Sequence, residues 1–205
     1  MREPLRLFLA SSNPGKLREY LSLAGDADIA LDLLPDFAAL PAFEETAPTF
    51  AENASGKALH YSRFADSYVL ADDSGLVVPA LGGAPGVHSA RYAGPQATDE
   101  DRVRKLLGEM AGMSGEARRA QFVCITAIAR RGRCHIITSD RAEGLLLEEP
   151  RGGQGFGYDP IFFFPELGKT YAELSRQEKN RVSHRGKSFR KALALLLEPN
   201  SVILP

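Results

Sequence analysis

The spacing of apolar and polar residues changes along this chain, and the changes mark its elements. Residues 5–10 form an apolar run of strand length, after which Leu17, Tyr20, Leu21 and Ala24 recur at helical spacing. Asn13 reads as the cap of that helix, Pro14 as its first residue and Gly25 as the residue that follows its last turn. A second helix is predicted from Thr49, where Thr49 and Glu52 have capping-box spacing, to about Phe64. The apolar run 68–71 comes next as a strand, so β and α elements alternate as in α/β proteins. Gly82, Gly83, Pro85 and Gly86 break the regular structure. A third helix opens at Thr98, with Asp101 three residues on, and carries Val103, Leu106, Leu107 and Met110 on one face.

Residues 122–129 and 134–138 read as a hairpin, which adds an antiparallel portion and makes the sheet mixed. A glycine-rich stretch, 152–157, leads into the apolar run 160–164. Two more helices are predicted at 175–181 and 187–197, the second burying Phe189, Leu193, Leu196 and Leu197. No repeat or linker divides residues 1–205, so a single domain is expected.

Composition narrows the field without choosing a function. A net charge of -1 over 205 residues gives no global ground for binding nucleic acid or a membrane surface. The two cysteines, Cys124 and Cys134, do not face each other across the hairpin and lack the partners of a zinc site. They are expected to be two buried thiols in a reducing compartment. No signal-peptide pattern opens the chain, and no apolar run approaches the ~18 residues of a membrane span. The cytoplasm is the expected location.

Candidate chemistry begins at Asp72-Asp73-Ser74-Gly75, between the apolar runs 68–71 and 76–80. An unpaired buried carboxylate costs several kcal/mol or shifts its pKa, and a divalent cation is an economical partner. Mg²⁺ in turn usually brings a phosphate. The other reading is a turn in which the two aspartates cap backbone amides. Ser11-Ser12-Asn13-Pro14-Gly15-Lys16 joins a strand to a helix N-terminus, where free amides and the helix dipole attract anions. It departs from a Walker A loop at Ala10 and Leu17, and a capped helix with an exposed lysine would look the same.

Further along, Asn53 and Lys57 lie one turn apart on a helix, either facing a ligand or forming a solvated face. Gly56 weakens that helix by about 1 kcal/mol relative to alanine, which suggests a close approach by another backbone or a ligand. Gly155-Phe156-Gly157-Tyr158-Asp159-Pro160 combines mobile backbone, aromatic faces that stack on nucleobases, and a carboxylate. Its aromatics fit a core equally well. Residues 176–191 are rich in positive charge, and Ser183-His184-Arg185-Gly186 reads as a loop between helices, suited to ligand contact.

Taken in order, these stretches resemble the inosine/xanthosine triphosphate pyrophosphatase family, also called Ham1-like. The matching segments are 11–16, 44–46, 49–54 with Lys57, 71–76, 82–92, 155–160, Glu178 with Lys179, and 183–186. The resemblance runs from residue 5 to about 197 and leaves the tail 198–205 unmatched. It implies an α/β fold with a long, bent mixed β-sheet flanked by helices that form two lobes around a substrate cleft. It also implies a homodimer that hydrolyses ITP, dITP and XTP to monophosphate and pyrophosphate with Mg²⁺, without nucleic-acid or membrane partners.

By the same resemblance Asp73 would bind Mg²⁺ and activate water, with Glu45 as the second metal residue and Asp72 close by. Ser11, Ser12, Asn13, Pro14, Gly15, Lys16 and Lys57 would hold the triphosphate, and Ser74 would touch substrate. Phe156, Gly157, Tyr158, Asp159, Lys179, His184 and Arg185 would form the base pocket, favouring a 6-keto over a 6-amino purine. Residues 82–92 would serve structure or dimer contact. A competing expectation is a nucleotide sensor without turnover, which would not need a water-activating carboxylate. Nucleic-acid binding through 176–191 has neither tryptophan nor a recognised basic-aromatic module behind it.

Overall fold

The computed structural model describes residues 4–25, 27 and 29–197, so the tail 198–205 lies outside the described residues. Seven strands form one mixed sheet in the order β2-β1-β3-β4-β5-β6-β7. They are β1 (Leu5–Leu9), β2 (Ile29–Leu33), β3 (Tyr68–Val77), β4 (Arg119–Arg130), β5 (Arg133–Leu146), β6 (Phe162–Phe164) and β7 (Lys169–Thr170). β1 pairs in parallel with both β2 and β3, while β6 pairs antiparallel with β5 and β7. The helices are α1 (Pro14–Ala24), α2 (Phe50–Tyr61), α3 (Asp99–Glu109), α4 (Arg176–Val182) and α5 (His184–Leu197).

Packing divides the chain into two compact units. The first comprises the described residues up to Asp73, Cys124–Asp140 and the chain from Arg185; the second comprises Ser74–Val123 and Arg141–His184. In the first unit, strand alternation sorts the core into two layers. Leu7, Leu9 and Leu70 pack with Tyr20 of α1 and Phe189 of α5, and the Tyr20 and Phe189 rings meet edge to face at 5.2 Å. Phe8, Ala10, Val69 and Ala71 pack instead with Ala54, Ala58 and Tyr61 of α2. The small side chains of α2 let that helix lie close against the strands. The second unit has its own core, where Val103, Leu106 and Met110 of α3 pack with Leu76, Phe122, Phe162 and Tyr171.

Several expectations change in detail. The Asp72–Gly75 tetrapeptide is not a turn, because β3 runs unbroken from Tyr68 to Val77. β2 was not predicted from the pattern, and β4 and β5 are longer than the expected hairpin. α2 ends at Tyr61, followed by a 3-10 turn over Ser62–Phe64. Leu21 and Leu197 are exposed, and Leu23 takes the place of Leu21 on the buried face of α1. Cys124 is buried but Cys134 is exposed. Gly56 does admit a close neighbour, although it is a side chain: an added Cβ would sit 2.6 Å from Cζ of Phe43.

Candidate active site

The first unit builds its polar centre on β3. Adjacent residues of a strand point to opposite faces, so Asp72 follows Leu70 toward α1 and α5, and Asp73 follows Val69 and Ala71 toward α2. Asp72 is fully buried among cations. Its Oδ2 lies 3.0 Å from Lys16 Nζ and 3.4 Å from Arg185 Nε, and it accepts a weak thiol contact from Cys124 at 3.8 Å. Arg185 also pairs with Glu19, a residue of α1 that the sequence did not single out. Burial alone would raise the Asp72 pKa, but Lys16, Arg185 and Lys57 overcome that and hold its carboxyl well below the usual range. The opposite field acts on Arg185, which burial would lower but Glu19 and Asp72 raise.

Asp73 meets different company. Asn53 of α2 donates from Nδ2 to Asp73 Oδ2 at 3.0 Å and braces itself on Ala47 through both ends of its amide. One turn on, Lys57 pairs with Glu45, which sits in the irregular segment before α2. Burial raises the Asp73 pKa, Lys16 opposes it, and the nearby Glu45 adds to the rise, leaving the carboxyl above its ordinary value. Lys57 itself is raised: Asp72 and Glu45 outweigh the effect of burial and keep it charged.

The loop before α1 is locally organised. Asn13 Oδ1 accepts from the amides of Gly15 at 2.8 Å and Lys16 at 3.1 Å, and Ser11 Oγ accepts from the Asn13 amide at 3.2 Å. The helix N-terminus is therefore capped, and those two amides are already engaged rather than free as the sequence suggested. Ser12 and Pro14 are exposed beside them.

In the second unit the loop 155–159 is held from several sides. Asp159 is buried and pairs with Lys179 of α4, while its Oδ2 also accepts from the Phe156 amide at 2.8 Å. The Lys179 ammonium lies 5.2 Å from the Phe156 ring centroid and 5.6 Å from that of Tyr171. Gly155 has φ +80, and a Cβ there would reach within 2.1 Å of Asp159 Oδ2, so only glycine permits this chain path. Tyr158 belongs to the core, with its hydroxyl donating to the Ser89 carbonyl at 3.0 Å; burial raises its pKa. His184 stacks on Phe122 at 4.7 Å, with the rings 7° from parallel.

The candidate residues thus fall into two groups. Lys16, Glu45, Lys57, Asp73 and Arg185 gather in the first unit with Asp72, while Phe156, Asp159 and Lys179 gather in the second. Ser74, partly buried in β3, and Gly157 and His184 also belong to the second. Arg185, expected among the base-pocket residues, pairs with Asp72 and with Glu19 in the first unit. Residues 184–186 are also not a loop: they form the first turn of α5, and Ser183 alone separates it from α4. Asn53 holds Asp73, a role that the sequence pattern signals only through its i,i+4 spacing with Lys57.

The sequence matches the Ham1 family over residues 7–195. It is 48% identical over 185 residues to the dITP/XTP pyrophosphatase of Geobacillus kaustophilus, covering 90% of this chain and 91% of that protein. It is 46% identical to the protein of the same name from Pectobacterium atrosepticum, covering 93% of this chain and 98% of the other. Among solved structures, a HAM1 protein from Coxiella burnetii superposes with a TM-score of 0.83 at 42% identity, covering 95% of this chain and 99% of that one. The Staphylococcus aureus Ham1 protein gives a TM-score of 0.81 at 36% identity, covering 94% and 98%.

Proposed function

Since the chain belongs to the Ham1 family, we propose that it hydrolyses ITP, dITP and XTP to the monophosphate and pyrophosphate, clearing deaminated purines from the nucleotide pool. Relatives named dITP/XTP pyrophosphatase support the substrate class. The observation that carries the chemistry is the unlike state of the two neighbouring aspartates. In the metal-free protein burial and the nearby Glu45 raise the proton affinity of Asp73, the direction that favours a general base. Asn53 fixes that carboxylate. Asp72 is a poor base because Lys16 and Arg185 hold it ionised and engaged.

A divalent cation fits this donor set. Asp73 and Glu45 offer hard oxygen atoms, and the repulsion between them is what a dication relieves. Among the described residues, no cluster of three or more His, Cys, Asp or Glu side chains could hold a metal ion. Mg²⁺ is commonly bound through one or two carboxylates together with substrate phosphates. Bound by Glu45 and Asp73, Mg²⁺ would neutralise phosphate oxygens as a Lewis acid. Lys16 and Lys57 supply the positive charge that positions a triphosphate, with the 11–16 loop beside Lys16.

Phe156, Asp159 and Lys179, with Gly157, Tyr158 and His184, select the base. An ammonium has only donors to offer, so a 6-keto oxygen can pair with Lys179 where a 6-amino group cannot. Ser74 touches substrate, and Arg185 is engaged with Asp72 and Glu19. The same reading takes residues 1–205 as one catalytic domain, acting as a homodimer in the cytoplasm without nucleic-acid or membrane partners. Among the described residues no helix is long and apolar enough to cross a membrane. A sensor without turnover would have no use for the basicity of Asp73.

Purified protein with Mg²⁺ is expected to release pyrophosphate from ITP and to act far more slowly on ATP. Orthophosphate as the first product would overturn the reaction assignment, and equal rates on both nucleotides would overturn the specificity.

A further inference from the structure

Within the second unit, the 155–159 loop has a support that neither its own sequence nor the base-pocket residues explain. The Gly157 amide donates to Asp99 Oδ2 at 2.7 Å, across 58 residues of chain. Asp99 is the first residue of α3, where Thr98 and Asp101 already form a complete capping box. The helix end therefore does not need Asp99 as its cap, and one oxygen of its carboxylate points to the loop instead. The other oxygen pairs with Arg102, one turn along α3. Arg102 in turn donates to the carbonyls of Ala90 at 2.7 Å and Ala97 at 2.9 Å.

The brace continues into the preceding segment. Ser89 accepts the Tyr158 hydroxyl on its carbonyl, while its own Oγ accepts from the Leu76 amide at 2.9 Å and donates to the Gly86 carbonyl at 2.6 Å. The Gly86–Arg91 3-10 helix and the start of α3 thus grip consecutive residues of the loop, Gly157 by its backbone and Tyr158 by its hydroxyl. Gly157 has φ +63 and no side chain of its own to anchor it. The backbone is what it offers, and Asp99 holds its amide by a hydrogen bond to a charged acceptor.

We propose that Asp99, steadied by Arg102, is a positioning residue for substrate selection: it fixes the 155–159 loop so that Phe156 and Lys179 meet the purine in one geometry. This rests on the base-pocket reading above, and it gives residues 82–92 a role in that pocket. Asp99 touches neither the base nor the phosphates; it acts through Gly157.

The test compares kcat and KM for ITP and ATP, with Mg²⁺, in the wild type, Asp99→Ala, Asp99→Asn and Lys179→Ala. Asp99→Ala is expected to raise KM for ITP about tenfold, the scale of one lost hydrogen bond to a charged group. Its kcat should stay within about twofold, and its preference for ITP over ATP should fall in step with KM. Asp99→Asn keeps an oxygen for the Gly157 amide and is expected to recover most of that preference, which restored helix charge cannot do because asparagine carries none. Should Asp99→Ala not fold, Arg102→Met removes the brace alone and is expected to raise KM for ITP about threefold. If Lys179→Ala loses the preference while Asp99→Ala, or Arg102→Met in its place, keeps it, the Asp99 proposal is wrong and the base-pocket reading stands. If the wild type has no preference, or Lys179→Ala retains it in full, the base-pocket reading falls first.

Discussion

Charged side chains in the first unit reach inward from α1, α2, β3 and α5 and neutralise one another, so that Asp72 alone engages Lys16 and Arg185. In the second unit the Lys179–Asp159 pair is set among aromatic rings and backbone amides, and its surroundings are tied down by Asp99, Ser89 and Arg102. On the proposed function, the contrast separates two tasks. Reaction at phosphorus needs positive charge and a basic carboxylate, which long side chains on separate elements can supply. Selecting a base needs fixed shape, and backbone hydrogen bonds fix shape at smaller entropic cost than long side chains do. Catalysis and discrimination should therefore respond to different substitutions.

The largest expected effect is on the chemistry. Asp73→Asn removes the proposed base, and kcat is expected to fall about 10²–10⁴-fold for ITP and ATP alike, with the ratio between them unchanged and ITP still bound. Steady-state rates on both nucleotides, with a binding titration, measure this; a changed ratio would mean that the two tasks are not separate. Next comes the charge network. Asp72→Asn leaves Lys16 and Arg185 without their shared anion, at a cost of about 3–5 kcal/mol for breaking a buried pair. In a chain of this size that lowers Tm by roughly 10 °C.

The sign of its pH dependence follows from the depressed native pKa of Asp72. The stabilisation is complete above the unfolded aspartate value, near pH ~4, and is lost as pH falls through the native one. The gap in Tm between wild type and variant should accordingly narrow below about pH 4. A drop of only a degree or two at pH 7 would show that other partners, such as Glu19 for Arg185, compensate these cations without Asp72.

The smallest effect concerns the thiols. Burial first, then Asp72, pushes the Cys124 pKa up to about 12, while Cys134 is exposed and raised less. In the native protein near pH 8 an alkylating reagent should modify Cys134 and spare Cys124, with Cys124 reacting only on unfolding. Peptide mapping reads the outcome, and native labelling of Cys124 would mean that the interior behind Asp72 opens readily.

Much of the fold was legible because local rules governed it. Asn13, Thr49 and Thr98 accept the amide bonds expected of helix caps, and Val103, Leu106 and Met110 are buried on α3 as their spacing required. β2 was missed because its sequence, Ile29-Ala30-Leu31-Asp32-Leu33, mixes the strand pattern with exposed positions at the sheet edge. The start of α5 was misread because His184, Arg185 and Gly186 look like loop residues, yet buried partners draw them into a helix. Tertiary contacts outweighed local propensity there.

The chain by itself determined which chemical groups are present and in what order: paired carboxylates, lysines near a helix start, and a glycine-aromatic loop with an acid. Those follow from composition and short-range spacing, which is all that one sequence encodes directly. The tertiary structure decided what each group experiences. Because β3 continues through the Asp pair, alternation sends Asp72 to the cations of α1 and α5 and Asp73 to Asn53 of α2. Proton affinity is set by burial and by charges a few ångströms away, and those neighbours come from distant parts of the chain.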